Sequence, residues 1–399
     1  MSAAPRRRAV QQSATLTPDA LTIVAGRVAD RVTWTFHPRL HWENAVYFDG
    51  LILLGEQMNL RHAGSGDRYI DRAAAVILES DDPIETVWWG DGTAFAQAAL
   101  DLYRVLPPSD PRRERLLATL AGPMSFAQHA MRATPANAAP RDPWWTSGGY
   151  GARLWQDDLY MVLPWLAMYG STHDGLPANA LARELANEWI DAYVPLLWDE
   201  EAALFRHDTS STPEFFWARG NGWALIALAR ASESLDAPEH HAMLRAAAQS
   251  LLARQLPDGG WSAYLSKPGE CDVAETSGTA LLTFFLARGV NDGWLERSVY
   301  EPAIQRALGT LLRRVDREGD VTGIQPPDIG PNCGNIRSDN GTINVNYAPG
   351  AVLLAISEVL KMSAVSSRAE RSGVEGPSNT QRRRSFDRPP SLRDSGGSG

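Results

Sequence analysis

Along most of the chain, apolar residues return at intervals of three and four positions, the spacing that gathers them on one face of an α-helix. Clusters of Gly, Pro and Asp interrupt the pattern. The spacing predicts twelve helices, over residues 17–31, 43–60, 67–79, 91–106, 111–131, 155–169, 177–196, 221–235, 238–255, 275–289, 294–315 and 347–362. They fall into two kinds. Stretches such as GTALLTFFLA and GAVLLAISEVL are apolar nearly all round and need protein on every side, whereas PRRERLLATLAGPM keeps a charged face for water. Short strand-like pieces, LFRHDTS and GWSAYL, fall between helices.

Helices follow one another in hairpin succession, with no βαβ alternation and no strict repeat. That order suits an all-α fold of six helix pairs closed into a double-layered toroid, an (α/α)6 barrel, with apolar helices inside and charged ones outside. In such a barrel the inner helices begin around one shared pocket. Five stretches dense in aromatic and polar residues, WWGDGTAF, LWQDDLYM, LFRHDTS, FWARGNGW and AETSGTALL, lie at or just before predicted helix starts. The domain reading is a flexible arm over 1–16, one catalytic domain over 17–362, and a disordered Arg/Ser/Gly/Pro-rich tail over 363–399.

Composition narrows the function. Of 399 residues, 44% are hydrophobic and 21% charged, and no apolar run reaches the length of a membrane span. The basic N-terminus lacks the apolar core of a secretory signal, and two cysteines, Cys271 and Cys333, are too few for a disulfide framework, so a reducing cytoplasm is expected. The net charge of −9 is carried with seven arginines in the tail, so the body is more acidic still and nucleic acid is an unsuitable partner. Fourteen tryptophans offer flat faces that stack on sugars or fill cores. There is no phosphate loop, paired-histidine metal motif or nucleophile elbow, so neither a cofactor nor a metal is expected.

Within LWQDDLYM, Asp157 and Asp158 are consecutive, and neighbouring helical residues project about 100° apart, so one at most faces the barrel axis. Carboxylates are also ordinary at helix starts, where the dipole favours their charged form. A general acid there must keep its proton against that dipole, and a like charge from Asp91 of WWGDGTAF is a candidate opponent. Asp91 reads equally as the N-cap of its own helix. Arg219 in FWARGNGW presents a planar fork suited to a carboxylate or to vicinal hydroxyls. Gly220 and Gly222 allow a tight turn or a close approach, with Asn221 between them. Glu275, Thr276 and Ser277 read as caps and packing as readily as chemistry. Trp42 and Tyr47 of HWENAVYFDG are candidates for the same pocket, with core packing as the alternative.

LWQDDLYMVLPWLAMYG, FWARGNGW, DGGW and ETSGTALL, in this order, resemble the unsaturated glucuronyl/galacturonyl hydrolases of glycoside hydrolase family 105 and its relative family 88, over roughly residues 40 to 360. The resemblance implies an (α/α)6 barrel. It also implies hydration of the C4=C5 vinyl ether in the 4,5-unsaturated uronic acid that polysaccharide lyases leave at a non-reducing end, with an unsaturated uronate oligosaccharide as partner. It makes Asp157 the acid/base and Asp91 a second pocket aspartate. It makes Arg219, Trp223, His207 and Trp217 substrate contacts. Two departures stand out: Arg153 is the one basic residue near the place where some members carry a His-Lys pair, and Ala94 stands where an asparagine is usual three residues after Asp91. An inverting glycosidase, a sugar epimerase or a noncatalytic carbohydrate-binding relative on the same toroid is the alternative reading.

Overall fold

Because the inner helices are apolar on every side, they can only be satisfied by packing on one another, and the computed structural model shows how. It describes residues 16–31, 42–79, 90–132, 154–172, 178–209, 216–266, 271–326, 336 and 347–372. Its helices are α1 (Pro18–Arg31), α2 (Trp42–Arg61), α3 (Asp67–Glu79), α4 (Gly90–Thr93), α5 (Phe95–Val105), α6 (Arg112–Ala118), α7 (Ala121–Arg132), α8 (Gln156–Ser171) and α9 (Ala178–Leu197). They continue with α10 (Ala218–Leu235), α11 (His241–Ala253), α12 (Thr276–Asn291), α13 (Arg297–Arg313) and α14 (Tyr347–Ser372).

Six of these close a ring. Helix α2 packs on α5, α5 on α8, α8 on α10, α10 on α12, α12 on α14, and α14 returns to α2. The remaining long helices form the outer layer: α1 lies against α14, α3 against α2 and α5, α7 against α9, α9 against α8, α11 against α10 and α13 against α12. This is the closed (α/α)6 toroid. The inner layer buries almost every residue of α10 and α12, while α3 buries only Tyr69, Ile70, Ala73, Ala74 and Ile77, one stripe of its surface.

Three expected boundaries change. The helix expected over 91–106 is broken at Ala94 into α4 and α5, and the one expected over 111–131 is broken near Thr119 and Leu120. Helix α14 runs on to Ser372, past the expected end of the domain at 362. The arm over 1–15, Arg153, Cys333 and the tail from 373 lie outside the described residues.

Where they are described, the connections are pinned by strand pairing and bridges. Strands β1 (Trp198–Asp199) and β2 (Leu204–Phe205) form an antiparallel pair with Trp198 opposite Phe205. Single bridges join Trp155 to Asp208 and Trp217 to Tyr264, so the strand-like stretches brace the starts of α8 and α10. Cys271 is buried and disulfide-bonded, and the sequence holds one other cysteine, Cys333.

Candidate active site

The site is assembled at the starts of the inner helices. Trp155 caps α8: its backbone N–H donates to Asp158 Oδ2 at 3.1 Å, and the Gln156 N–H donates to the His207 carbonyl at 3.1 Å. The Tyr193 hydroxyl of α9 also donates to Asp158 Oδ2, at 3.4 Å. Asp158 is thereby committed to capping α8 and facing the outer layer. Asp157, about 100° round the helix, faces the other way, and its Oδ2 is buried with no hydrogen-bond partner.

Burial raises the Asp157 carboxyl above its ordinary range, while His207 and Arg219 pull it back down. His207 lies between two indoles, with ring centroids 4.7 Å from Trp155 and 4.9 Å from Trp217. Its Nδ1 is 3.4 Å from the Gln156 side-chain nitrogen.

The opening of α10 explains the glycines of FWARGNGW. A Cβ on Gly220 would stand 1.9 Å from Gln156 Nε2, and one on Gly222 would stand 2.5 Å from Leu281 Cβ, so both glycines let α10 press against its neighbours α8 and α12. Asn221, fully buried, accepts the Phe205 N–H at 2.8 Å and donates to the Phe205 and Trp217 carbonyls at 2.9 and 3.0 Å. It ties β2 to the helix start. With that turn fixed, Arg219 is held deep in the site. Its Nη1 donates to the Gln325 carbonyl at 2.6 Å and to the Tyr347 hydroxyl at 3.1 Å, and the guanidinium lies 4.3 Å from the Trp217 ring and 4.9 Å from the Tyr347 ring. Glu275 caps α12 through the Ser277 and Gly278 amides and accepts the Gln325 N–H at 3.0 Å, so it shapes the loop that holds Arg219.

Aromatic walls complete the pocket. Trp42, at the start of α2, stacks on Tyr347 at 5.4 Å and 23° and meets Trp223 edge-on at 6.3 Å. Trp217 and Trp223 are both buried, and the Nε1 atom of each has no hydrogen-bond partner. Three polar atoms, Asp157 Oδ2 and the two indole N–H groups, are therefore desolvated and unsatisfied, the state a substrate's hydroxyls would relieve.

Asp91 enters from α4. Thr93, two residues on, donates to the Met161 carbonyl at 2.8 Å and accepts Trp165 Nε1 at 3.1 Å, clamping α4 to α8. Burial lifts the Asp91 carboxyl to about 7, helped by the charges of Asp157 and Glu43. The expected opposition runs the other way: Asp157 is raised by burial and not by Asp91, whereas Asp91 is raised first by its own burial and then by the charges of Asp157 and Glu43.

Most of the expected residues converge: Asp157, Asp91, His207, Arg219, Trp217, Trp223 and Trp42 share one end of the barrel. Tyr47 does not. It is five residues beyond Trp42, nearly opposite on the helix, and its hydroxyl donates to the Ala29 carbonyl of α1 at 2.6 Å. Tyr47 packs between layers. Sequence reasoning missed Trp155 and Gln156, although both stand inside the quoted motif, and also Glu43, Tyr347 and Gln325. Tyr347 could have been found as an aromatic at an inner-helix start, like Trp42. Gln325 acts through its backbone and leaves no side-chain signal.

Comparison with known proteins agrees with this geometry. The family model described as Glycosyl Hydrolase Family 88 matches residues 23–363. An unsaturated 3S-rhamnoglycuronyl hydrolase of Formosa agariphila is 32% identical over 226 residues, covering 52% of this chain and 58% of the relative. One from Alteromonas sp. is 31% identical over 221 residues, covering 52% and 51%. The chain thus spans about half the length of the curated relatives it matches. Among solved structures, a family 88 glycosyl hydrolase from Bacteroides vulgatus is similar at 25% identity with a TM-score of 0.65, covering 86% of this chain and 99% of that one. A chain described as a polysaccharide lyase is similar at 25% identity with a TM-score of 0.66, covering 87% and 98%. A match over nearly the whole toroid, with the polar hardware at its inner-helix starts, places the chain in Glycosyl Hydrolase Family 88.

Proposed function

We propose that this protein removes a 4,5-unsaturated uronic acid from the non-reducing end of lyase-generated oligosaccharides by hydrating its C4=C5 vinyl ether. The observation that carries the reading is the buried, unpartnered Oδ2 of Asp157, set beside His207 and Arg219 in a pocket walled by tryptophans. In this reading Asp157 delivers its proton to C4, the positive charge left at C5 is shared with the ring oxygen, and water adds at C5 as the Asp157 carboxylate takes up its proton. The hemiketal so formed opens, and the aglycone leaves from C1.

Substrate charge sets the timing. Without substrate, His207 and Arg219 draw the Asp157 carboxyl down against its burial. A uronate carboxylate docked beside those two side chains offsets their pull and excludes water, so the proton affinity of Asp157 rises when an acceptor carbon arrives. Asp91, protonated up to about 7, can donate a hydrogen bond to the substrate or return a proton to Asp157 after transfer. Trp42 and Trp217 supply stacking faces for the sugar, and the Trp217 indole N–H supplies a donor for its hydroxyls.

The names of the curated relatives support an unsaturated glycuronyl substrate, with rhamnose as the first aglycone to try. A disulfide at Cys271 is more in keeping with an oxidising compartment than with the cytoplasm. The test is a panel of lyase products from pectin, ulvan and glycosaminoglycans, followed by the near-ultraviolet absorbance of the conjugated uronate. Loss of absorbance with release of the neighbouring sugar supports the reading. Binding without loss identifies a noncatalytic relative instead.

A further inference from the structure

Beneath the pocket floor lies a buried polar network that the chemistry above does not use. Asp49 of α2 accepts two hydrogen bonds on Oδ2, from the Tyr160 hydroxyl of α8 at 3.1 Å and from Arg230 Nη1 of α10 at 2.8 Å. Arg230 also reaches Asp101 of α5 at 3.7 Å, and Gln97 donates to that same carboxylate at 2.7 Å. Asp49, Asp101 and Arg230 are all buried.

The network points upward at the site. Tyr160 is three residues after Asp157, so the two side chains leave α8 on the same face one turn apart. Arg230 is seven residues after Trp223, two turns along the same stripe of α10. The Tyr160 ring meets the Trp223 ring at 4.6 Å and 47°, and Trp223 in turn forms the wall against Trp42. A purely hydrophobic cluster of similar volume would serve stability as well or better, since removing charges from water is costly. What hydrogen bonds add is direction: they fix where the Tyr160 ring stops, and through it the Trp223 face relative to Asp157.

We infer that Tyr160, held through its hydroxyl by the Asp49–Arg230 pair, is a positioning residue that sets the buried Trp223 ring, and through it the half-buried Trp42 ring, against the sugar being protonated by Asp157. The inference rests on the proposed function for its kinetic consequence. It acts on geometry in the transition state more than on the amount of contact, so it governs kcat more than KM.

The experiment compares the full chain with Tyr160→Phe, which keeps the ring and loses only the hydroxyl. The expected result is a kcat lower by about tenfold with KM within about twofold of the parent, on the scale of a small misplacement of reacting groups. The near-ultraviolet circular dichroism due to Trp223, taken as the difference between parent and Trp223→Phe, is expected to change in Tyr160→Phe. Asp49→Asn, which keeps an acceptor for the hydroxyl, is expected to retain more of kcat than Asp49→Ala. A parental kcat in Tyr160→Phe, or a raised KM with kcat intact, overturns the inference. If the parent itself leaves unsaturated uronates intact, the proposed function fails, and the dichroism difference alone decides: an unchanged Trp223 signal overturns the inference and an altered one supports it.

Discussion

Asp157 and Asp158 are consecutive, yet one is saturated with hydrogen bonds and the other has a buried oxygen with none. Asp158 Oδ2 accepts the Trp155 amide and the Tyr193 hydroxyl, whereas Asp157 Oδ2 faces the pocket unpartnered. A helix start offers two carboxylates, and the step of about 100° between them commits one to the helix cap and leaves the other unpartnered.

Two substitutions separate those roles. Asp157→Asn keeps the fold, with unchanged far-ultraviolet circular dichroism and a thermal midpoint no lower than the parent's, and loses turnover by at least about a hundredfold, the scale of removing a general acid. Asp158→Ala strips the cap from α8 and strands the Tyr193 hydroxyl in the core, so it destabilises the protein by about 1–3 kcal/mol in urea unfolding. Equal stability losses in the two variants would contradict the division.

Asp91 imposes a cost on the folded state that depends on pH. Its carboxyl titrates near 3.8 in the unfolded chain and at about 7 in the fold. Between those values the folded protein binds more protons than the unfolded one, so stability falls as pH rises through this window, and the penalty is complete above it. Asp91→Asn removes the ionisation. The variant is expected to be more stable than the parent at pH 8 by roughly 1–3 kcal/mol, less than the full shift because the side chain is partly exposed. Near pH 4 the advantage vanishes. Thermal denaturation across that range checks the sign, and a variant less stable at pH 8 would show that Asp91 is buried for structural gain.

The glycines of FWARGNGW differ in what they protect. Gly222→Ala drives a methyl group into Leu281 and is expected to destabilise by about 1–3 kcal/mol, the usual cost of overpacking. Gly220→Ala displaces Gln156, whose backbone and side chain contact His207 next to Asp157. It is expected to lower kcat/KM by about 10–100-fold beyond any stability effect. Urea unfolding and steady-state kinetics on the two variants separate packing from positioning.

The inner ring was legible because helices such as GTALLTFFLA are apolar all round, a pattern that only a surrounded helix tolerates. The convergence of Asp157, Arg219, His207 and the tryptophans followed from placing polar residues at those helix starts. Tyr47 was misplaced because an aromatic one and a half turns into α2 looks, in sequence, like any other aromatic near a pocket. Its angular distance from Trp42 decides otherwise. The break at Ala94 was hidden because alanine carries no turn signal, and α4 is fixed by Thr93 on α8, a contact 68 positions away. The direction of coupling between Asp91 and Asp157 depends on which cations lie nearer to each, a property of assembled geometry. No local pattern records it.

The most direct test follows the unsaturated uronate absorbance during incubation of lyase-generated oligosaccharides with the parent protein and with Asp157→Asn. The parent is expected to abolish the absorbance and release the adjoining sugar, while Asp157→Asn binds the same oligosaccharide and leaves the double bond intact. Persistence of the double bond with the parent across the whole substrate panel, or near-parental turnover by Asp157→Asn, would contradict this expectation.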